Sequence, residues 1–372
     1  MDKKTVVVGM SGGVDSSVAA WLLKEQGYRV IGVTMQIWQS EDPDASAAEG
    51  GCCGLSAVED ARRVADAIGI PHYVMSFRTE FKTKVIDYFT EEYLKGRTPN
   101  PCIACNRYVK WESLLRRSME IGADAIATGH YARIRRLNNG RYSILTSAGM
   151  TKDQSYALYA LTQDQLSRTL FPCGDYEKTQ IREMARQAHL PVAEKPDSQE
   201  ICFVPDGDYA GFIEKEAGDR TPPPGVFVDR DGRELGPHQG ITHYTIGQRR
   251  GLGLPAGHRV YVTQIRPETG EVVIGENEDL FQSVVKGTDV CWMGMQAPKP
   301  GEEIPVVAKV RYNHPGERGI LRLLEDGSVV CTFERPVRAP APGQALVFYG
   351  TPETMREELS GGWAVLGGAC IA

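Results

Sequence analysis

The sequence predicts an α/β fold, a doubly wound parallel sheet, followed by a small central domain and a C-terminal β-barrel. Three observations predict it. Across residues 1–205, short β-branched runs alternate with segments whose apolar residues recur at helical spacing. The character changes at Val204-Pro205-Asp206-Gly207, and the stiff breaker Thr221-Pro222-Pro223-Pro224-Gly225 follows. From residue 285 onward nearly every apolar run is short and bounded by turn residues, the pattern of a small barrel or sandwich. The expected domains are therefore 1–205, 206–284 and 285–372.

The elements follow in order. Thr5–Val8, Val30–Met35, His72–Ser76 and Ala125–Thr128 read as strands. Ser16–Glu25, Ala57–Ile68 and Glu80–Lys95 read as helices. Alternation of this kind implies parallel strands covered on both faces. Loops interrupt it at Asp42–Gly54 and Gly96–Pro101. Gly225–Val228 and Val260–Ile265 are short central strands. Val306–Tyr312, Gly319–Leu324, Ser328–Phe333 and Ala345–Tyr349 are expected barrel strands. There is no internal repeat and no low-complexity tract.

Composition narrows the function classes. A chain of 372 residues buries enough surface to need neither disulfide nor metal for a core. Apolar residues at 41% and charged residues at 24% are ordinary for a folded domain and exclude a fibre. No apolar run reaches the roughly 18 residues of a membrane span. The start lacks the apolar region and cleavage site of a signal peptide, so a cytoplasmic protein is expected. The net charge of −6 advertises no nucleic-acid binder in bulk, so any such surface must be local. Nine cysteines cannot all pair within one chain, and in the cytosol they are more often reactive or metal-bound than bridged.

The most specific local signal is Gly9-Met10-Ser11-Gly12-Gly13-Val14-Asp15-Ser16-Ser17. An apolar strand runs into a glycine-bearing loop, and a helix begins at the serines. Glycines admit phosphate oxygens close to the backbone, and the amides and dipole of the following helix favour an anion. No Gly-Lys-Ser/Thr closes a Walker loop, and the spacing is not Gly-x-Gly-x-x-Gly. Asp15 suits a polyphosphate site only by helping to hold Mg²⁺ or by orienting the loop. A bare strand-to-helix turn would not need the whole string. It resembles the loop of ATP pyrophosphatases (adenine nucleotide alpha hydrolase-like), which split ATP between the α and β phosphates and adenylate a substrate oxygen.

Cysteine supplies the second signal. Thr98-Pro99-Asn100-Pro101-Cys102-Ile103-Ala104-Cys105-Asn106 carries one C-x-x-C pair, and Cys202 lies in Asp197-Ser198-Gln199-Glu200-Ile201-Cys202-Phe203. Structural zinc needs four ligands, and a second spaced pair is missing. Two readings stay open. Cys102, Cys105 and Cys202 could hold a [4Fe–4S] cluster at three irons, or two of them could run sulfur chemistry by thiolate exchange. Cys52, Cys53, Cys173, Cys291, Cys331 and Cys370 are expected to be passive small hydrophobes.

Taken together, the phosphate loop, Thr98–Asn106 and Asp197–Phe203 resemble the tRNA-specific 2-thiouridylases of bacteria. Gly129-His130-Tyr131-Ala132-Arg133, Lys152-Asp153-Gln154-Ser155-Tyr156, the run His243–Gly253, Arg311-Tyr312 and Pro342-Gly343-Gln344-Ala345 extend the match over essentially the whole chain. The resemblance implies ATP-dependent 2-thiolation of the wobble uridine (U34) of tRNA. ATP adenylates the C2 oxygen, and sulfur arrives from a persulfide, giving 2-thiouridine, AMP and pyrophosphate. It implies that Cys105 is the nucleophile and Cys202 the persulfide carrier, the two forming a transient disulfide. Gly9, Met10, Ser11, Gly12, Gly13, Val14, Asp15 and Ser16 would hold ATP with Mg²⁺, with Met35 and Gly129 beside the adenosine. Asn100, Pro101 and Cys102 would lie beside the target base. His130, Lys152, Asp153, Gln154, Arg311, Tyr312 and Gln344 match tRNA-contact positions. Implied partners are tRNA and a persulfide donor, a cysteine desulfurase or sulfur-relay protein, with no membrane.

Bland readings stand beside these. A lone His after a strand is more often a packed histidine, and an Arg on a strand is more often a solvated face. Between Val285 and Gly350 there are eight Lys or Arg and seven Asp or Glu, so an RNA surface there depends on placement. Arg133, Arg135, Arg136, Arg249 and Arg250 are further candidate cations. Two rival functions remain. An amide-forming ATP pyrophosphatase does not need two reactive cysteines. A nucleotide-regulated RNA-binding protein leaves Cys105 and Cys202 without a role.

Overall fold

The computed structural model describes residues 3–37, 55–148, 152–196, 201–255, 257–355, 359 and 361–372. The loop expected at Asp42–Gly54, with Cys52 and Cys53, lies outside them, as do residues 197–200.

Strands β1 (Thr5–Gly9), β2 (Arg29–Gln36), β3 (His72–Ser76), β4 (Ala125–Ala127) and, after the hairpin β5 (Ala132–Arg136)–β6 (Tyr142–Thr146), β7 (Thr169–Leu170) are joined by helices. The helices are α1 (Val14–Glu25), α2 (Leu55–Ile68), α3 (78–94), α4 (101–120), the short α5 (Gln163–Ser167) and α6 (Lys178–Gln187). β1 is the middle of a five-stranded sheet in the order β3-β2-β1-β4-β7. All four pairings are parallel, and β1 takes β2 in the register Val6↔Val30 and β4 in the register Val6↔Ala125. Val6, Val7 and Val8 are wholly buried, as expected of a parallel strand covered on both sides. Val6 and Val8 pack with α1, α2 and α6, and Val7 packs with α3 and α4. The sheet is doubly wound, as the alternation predicted.

The central part contributes α7 (Tyr209–Ala217) and strands β8 (Gly225–Val228), β9 (Glu234–His238), β10 (Tyr261–Arg266) and β11 (Glu271–Gly275). They form a sheet in the order β10-β11-β8-β9 around Phe227, Tyr244, Val262 and Val272. Strands β12 (Phe281–Trp292), β13 (Glu303–Lys309), β14 (Glu317–Leu323), β15 (Val329–Arg338), β16 (Ala345–Gly350) and β17 (Ala364–Ile371) follow. β12 closes them into a barrel. It pairs first with β15 and then, beyond a register shift, with β17. Closure leaves no open edge among the six strands.

Several features depart from the sequence reading. The β5–β6 hairpin belongs to the first region by position, yet it extends the barrel sheet by pairing with β17 at Leu145↔Ala364. β12 and β17 have no counterpart among the expected strands. The predicted strand Val306–Tyr312 ends at Lys309 because Arg311 turns to donate to the carbonyls of Arg338 and Ala339 at 2.7 and 2.6 Å. The helix expected at Glu80–Lys95 is present, with a wide π-type turn over Lys82–Ile86. One core runs from Phe77, Phe89 and Trp111 to Met293, Val347, Tyr349 and Val365 of the barrel, which cements the first region to the last.

Candidate functional site

The phosphate loop leaves the carboxyl end of β1, where ligands of parallel sheets bind. Gly13 precedes α1 in an extended conformation with no side-chain cap. The helix therefore offers its first amides to a ligand. Ser17 Oγ donates to Gly13 O at 2.8 Å, and Ser16 Oγ accepts from Ser11 N at 3.2 Å, so hydroxyls hold the loop's curvature. Glycine is required twice. Gly12 has φ +68°, and a Cβ there would meet Ala57 O at 2.4 Å. A Cβ on Gly129 would stand 2.6 Å from Asp15 C and Ser16 N, so Gly129 lies directly against the loop-to-helix junction. Met10, Val14 and Ser16 are buried beneath the loop, and Met35 is half-buried on β2.

Asp15 accepts from Lys178 Nζ at 2.7 Å and from Tyr131 OH at 2.6 Å, both at Oδ1. An orienting role for this carboxylate thus has concrete partners. Sequence reasoning missed both. Tyr131 sits inside a quoted motif without a role of its own. Lys178 lies 163 residues from Asp15 and carries no local signal.

The cysteine segment is built on a helix start. Asn100 Oδ1 accepts from Cys102 N at 3.0 Å, and Pro101 occupies the first helical position, where its missing N–H costs nothing. α4 then takes π-type hydrogen bonding over Cys105–Leu114. The barrel braces this segment. Gln344 Nε2 donates to Thr98 O at 2.8 Å, and Thr98 N donates to Pro342 O at 2.7 Å. Cys102 is exposed, while Cys105 and Cys202 are half-buried thiols packed against the same core. A cleft of about 220 Å³ lies on the other face of the helix, lined by Asn100, Ile103, Ala104, Arg107, Tyr108 and Gln344.

Four of the expected passive cysteines lie among the described residues. Burial raises the thiol pKa of Cys173, Cys291 and Cys370, and pushes Cys331 up to about 12. All four are poorly ionised nucleophiles. Among the described residues, no group of three or more His, Cys, Asp or Glu side chains is gathered to hold a metal. Cys102, Cys105 and Cys202 are not gathered into a cluster site.

The predicted tRNA-contact residues divide. Lys152 is exposed, and Tyr312 is 40% exposed with its ring 6.2 Å from that of Tyr156. Burial raises the Tyr312 pKa, and the fields of Asp153 and Cys102 raise it further, so this tyrosine stands near the cysteine helix. Asp153 is buried, accepting from Ser147 N at 2.9 Å and Ser155 Oγ at 2.7 Å. Gln154 Oε1 accepts from Tyr131 N at 2.9 Å. The His130 ring packs between Trp111 and Phe171, its Nδ1 2.6 Å from Thr128 Oγ1. Burial, then Lys110, holds its pKa well below the usual histidine range. Arg249 and Arg250 are exposed in the central part, and Arg136 is exposed at the end of β5.

Family models and relatives match most of the chain. A family model described as tRNA methyl transferase HUP domain matches residues 4–206. A tRNA methyl transferase PRC-barrel domain matches 210–276, and an aminomethyltransferase beta-barrel domain matches 283–371. The tRNA-specific 2-thiouridylase MnmA of Lachnoclostridium phytofermentans is 61% identical over 346 residues, spanning 93% of this chain and 96% of that protein. Its namesake in Clostridium acetobutylicum is 54% identical over 349 residues, spanning 94% and 97%. Among solved structures, a 4-thiouridine synthetase–RNA complex with bound ATP aligns over 58% of this chain and 51% of that one, at 20% identity and a TM-score of 0.36. That alignment is too loose to inform the site.

Proposed function

Because the chain belongs to the tRNA-specific 2-thiouridylase family, and so is a tRNA sulfurtransferase acting on uridine, we propose that it replaces the C2 oxygen of the wobble uridine (U34) by sulfur, using ATP and a cysteine persulfide. The observation that carries the reading is the clamp of the barrel on the cysteine segment, Gln344 to Thr98 and Thr98 to Pro342. It supports a division in which the barrel grips RNA and the α/β part does chemistry on the same nucleotide.

The uracil C2 oxygen attacks the α phosphorus of ATP, and pyrophosphate leaves. Loop amides from Gly9 to Ser16 hold the phosphates, with Asp15 orienting the loop through Tyr131 and Lys178. Were Mg²⁺ to accompany the nucleotide, Asp15, the one carboxylate of the loop, would hold it, and the ion would offset phosphate charge. Adenylation turns the oxygen into AMP, a good leaving group. The Cys202 persulfide then delivers sulfur by one of two balanced routes. Cys105 thiolate attacks the Cys202 inner sulfur and releases hydrosulfide, which adds to C2 as AMP departs. Alternatively the terminal sulfur attacks C2 as AMP departs, and Cys105 then displaces the thiolated base from Cys202. Both leave a Cys105–Cys202 disulfide, which a dithiol reductant must reopen with two electrons. The uridine must leave its stack to reach these sulfurs. Tyr312 is a ring on which it can stack, and Lys152 is a cation for its phosphates. Neither route uses an iron–sulfur cluster, and the cysteines among the described residues do not form the ligand set of one.

The test is incubation with ATP, Mg²⁺, a persulfide donor and unmodified tRNA, followed by digestion and mass spectrometry. Formation of 2-thiouridine at position 34, lost in Cys105→Ala and Cys202→Ala, is expected. Its absence under reducing, anaerobic conditions, or wild-type thiolation by Cys202→Ala, overturns the persulfide reading.

A further inference from the structure

A buried ion pair crosses from the barrel to the loop beside the ATP site, and the chemistry above does not use it. Lys309 is the last residue of β13. Its side chain is 10% exposed and that of Asp153 4%, with Nζ and Oδ2 4.0 Å apart. The ammonium also stands 5.7 Å from the centre of the Tyr349 ring. Burial lowers the Lys309 pKa, and Asp153 opposes that shift. A charge kept this far from water costs free energy unless it is paired, so the Lys309 ammonium leans on Asp153, whose carboxylate also accepts from Ser147 N and Ser155 Oγ.

From Asp153 the contacts continue inward. Ser155 Oγ donates to Asp153 Oδ2 at 2.7 Å and lies 3.2 Å from the Tyr349 hydroxyl. The next residue, Gln154, exchanges two bonds with Tyr131. Tyr131 N donates to Gln154 Oε1 at 2.9 Å, and Gln154 N donates to Tyr131 O at 3.0 Å. The Tyr131 hydroxyl then reaches Asp15 of the phosphate loop at 2.6 Å. On the barrel side, Lys309 lies two positions before Arg311 and three before Tyr312 on one short stretch of chain.

We propose that Lys309 is a positioning residue that couples RNA binding on the barrel to ATP binding at the phosphate loop, through Asp153, Gln154, Tyr131 and Asp15. The inference rests on the reading of RNA and ATP as the two ligands. It gives Asp153 and Gln154 an inward task, as struts of the loop that presents Lys152. Load on Arg311 and Tyr312 shifts the end of β13, Lys309 carries that shift to Asp153, and the Tyr131–Asp15 bond delivers it to the loop.

The experiment measures binding of α,β-methylene ATP to the full chain, with and without saturating unmodified tRNA. Tighter nucleotide binding with tRNA is expected for the wild type, on the order of 5- to 150-fold, with the same factor acting on tRNA when nucleotide is present. Lys309→Met is expected to reduce that factor to about twofold or less while tRNA affinity without nucleotide stays within about threefold of wild type, and Lys309→Arg to keep part of it. Tyr131→Phe, at the other end of the chain of contacts, is expected to reduce the factor likewise, and the double variant to lose no more than either alone. Undiminished coupling in either single variant, or losses that add in the double variant, overturns the proposal. Should Lys309→Met not fold, Tyr131→Phe and Lys309→Arg decide the matter by the same criterion. Thiolation is assayed in parallel. A wild type that thiolates without coupling its ligands overturns the relay alone, and one that couples them without thiolating overturns the functional reading alone.

Discussion

The Tyr131 hydroxyl donates to the Asp15 carboxylate at 2.6 Å across 116 residues of sequence. It ties the strand-end motif Gly129–Arg133 to the first turn of α1. A hydrogen bond to a charged group contributes about 1.5–3 kcal/mol, so Tyr131→Phe is expected to weaken nucleotide binding by roughly 10- to 100-fold. Isothermal titration with a non-hydrolysable ATP analogue measures it. Unchanged affinity would show that Lys178 alone suffices to orient Asp15.

Gly129 has no room for a side chain. A Cβ there meets Asp15 C and Ser16 N at 2.6 Å, and both are backbone atoms that cannot swing aside. Gly129→Ala is expected to displace the start of α1 and reduce ATP affinity by about tenfold or more, while tRNA binding persists. Filter binding of tRNA beside nucleotide titration separates the two. Wild-type ATP affinity would refute the close approach.

Thiol reactivity should follow exposure and burial. Cys102 is exposed, whereas Cys173 and Cys331 are buried with raised pKa values, that of Cys331 about 12. Alkylation of the native chain at pH 7.5 is expected to reach Cys102 before the other described cysteines and to leave Cys173 and Cys331 unmodified until the chain unfolds. Peptide mapping over time reads the order. Early labelling of Cys331 would contradict the buried barrel thiol.

Packed histidines are expected to make the fold acid-sensitive. The His130 pKa is held well below the unfolded value by burial and then Lys110, so the folded state keeps the ring neutral. Below about pH 6.5 the unfolded chain binds a proton there that the folded chain does not. Stability from this group is therefore complete above about pH 6.5 and falls as pH drops toward the folded pKa, by at most about 1.4 kcal/mol per pH unit. His72, His238 and His314 are lowered too, chiefly by burial, and act in the same sense. Thermal melts at pH 7 and 5.5 should show a smaller acid loss for His130→Gln than for wild type. Equal losses would remove His130 from the account.

Much of the site was legible because its pieces are local. The phosphate loop is a contiguous string in which Gly12 and the serines have nearby geometric reasons, such as the positive φ of Gly12 or the bond from Ser17 to Gly13. The helix start at Asn100–Pro101 acts within one turn too, yet the segment reads as a loop in sequence, and α4 has no counterpart among the expected helices. The π-type hydrogen bonding after Cys105 was not readable, and neither were β12 and β17. The long strand β12 changes partner midway, which no period-two pattern announces. His130, Asp153 and Arg311 matched RNA-contact positions by motif. Their side chains are nonetheless engaged with Thr128, with Ser147 and Ser155, and with the Arg338 and Ala339 carbonyls.

By itself the sequence determined the doubly wound sheet, the change of character toward the barrel, the glycine–serine string after β1 and the family, because each depends on residue order over a turn, a strand or a motif. The tertiary structure decided which of those residues meet. Lys178 reaches Asp15 over 163 positions, Gln344 reaches Thr98 over 246, and the β5–β6 hairpin leaves its own region to pair with β17. Buried charges and unpaired strand edges must find partners wherever the chain brings them, and that requirement is met in space, where sequence distance has no bearing.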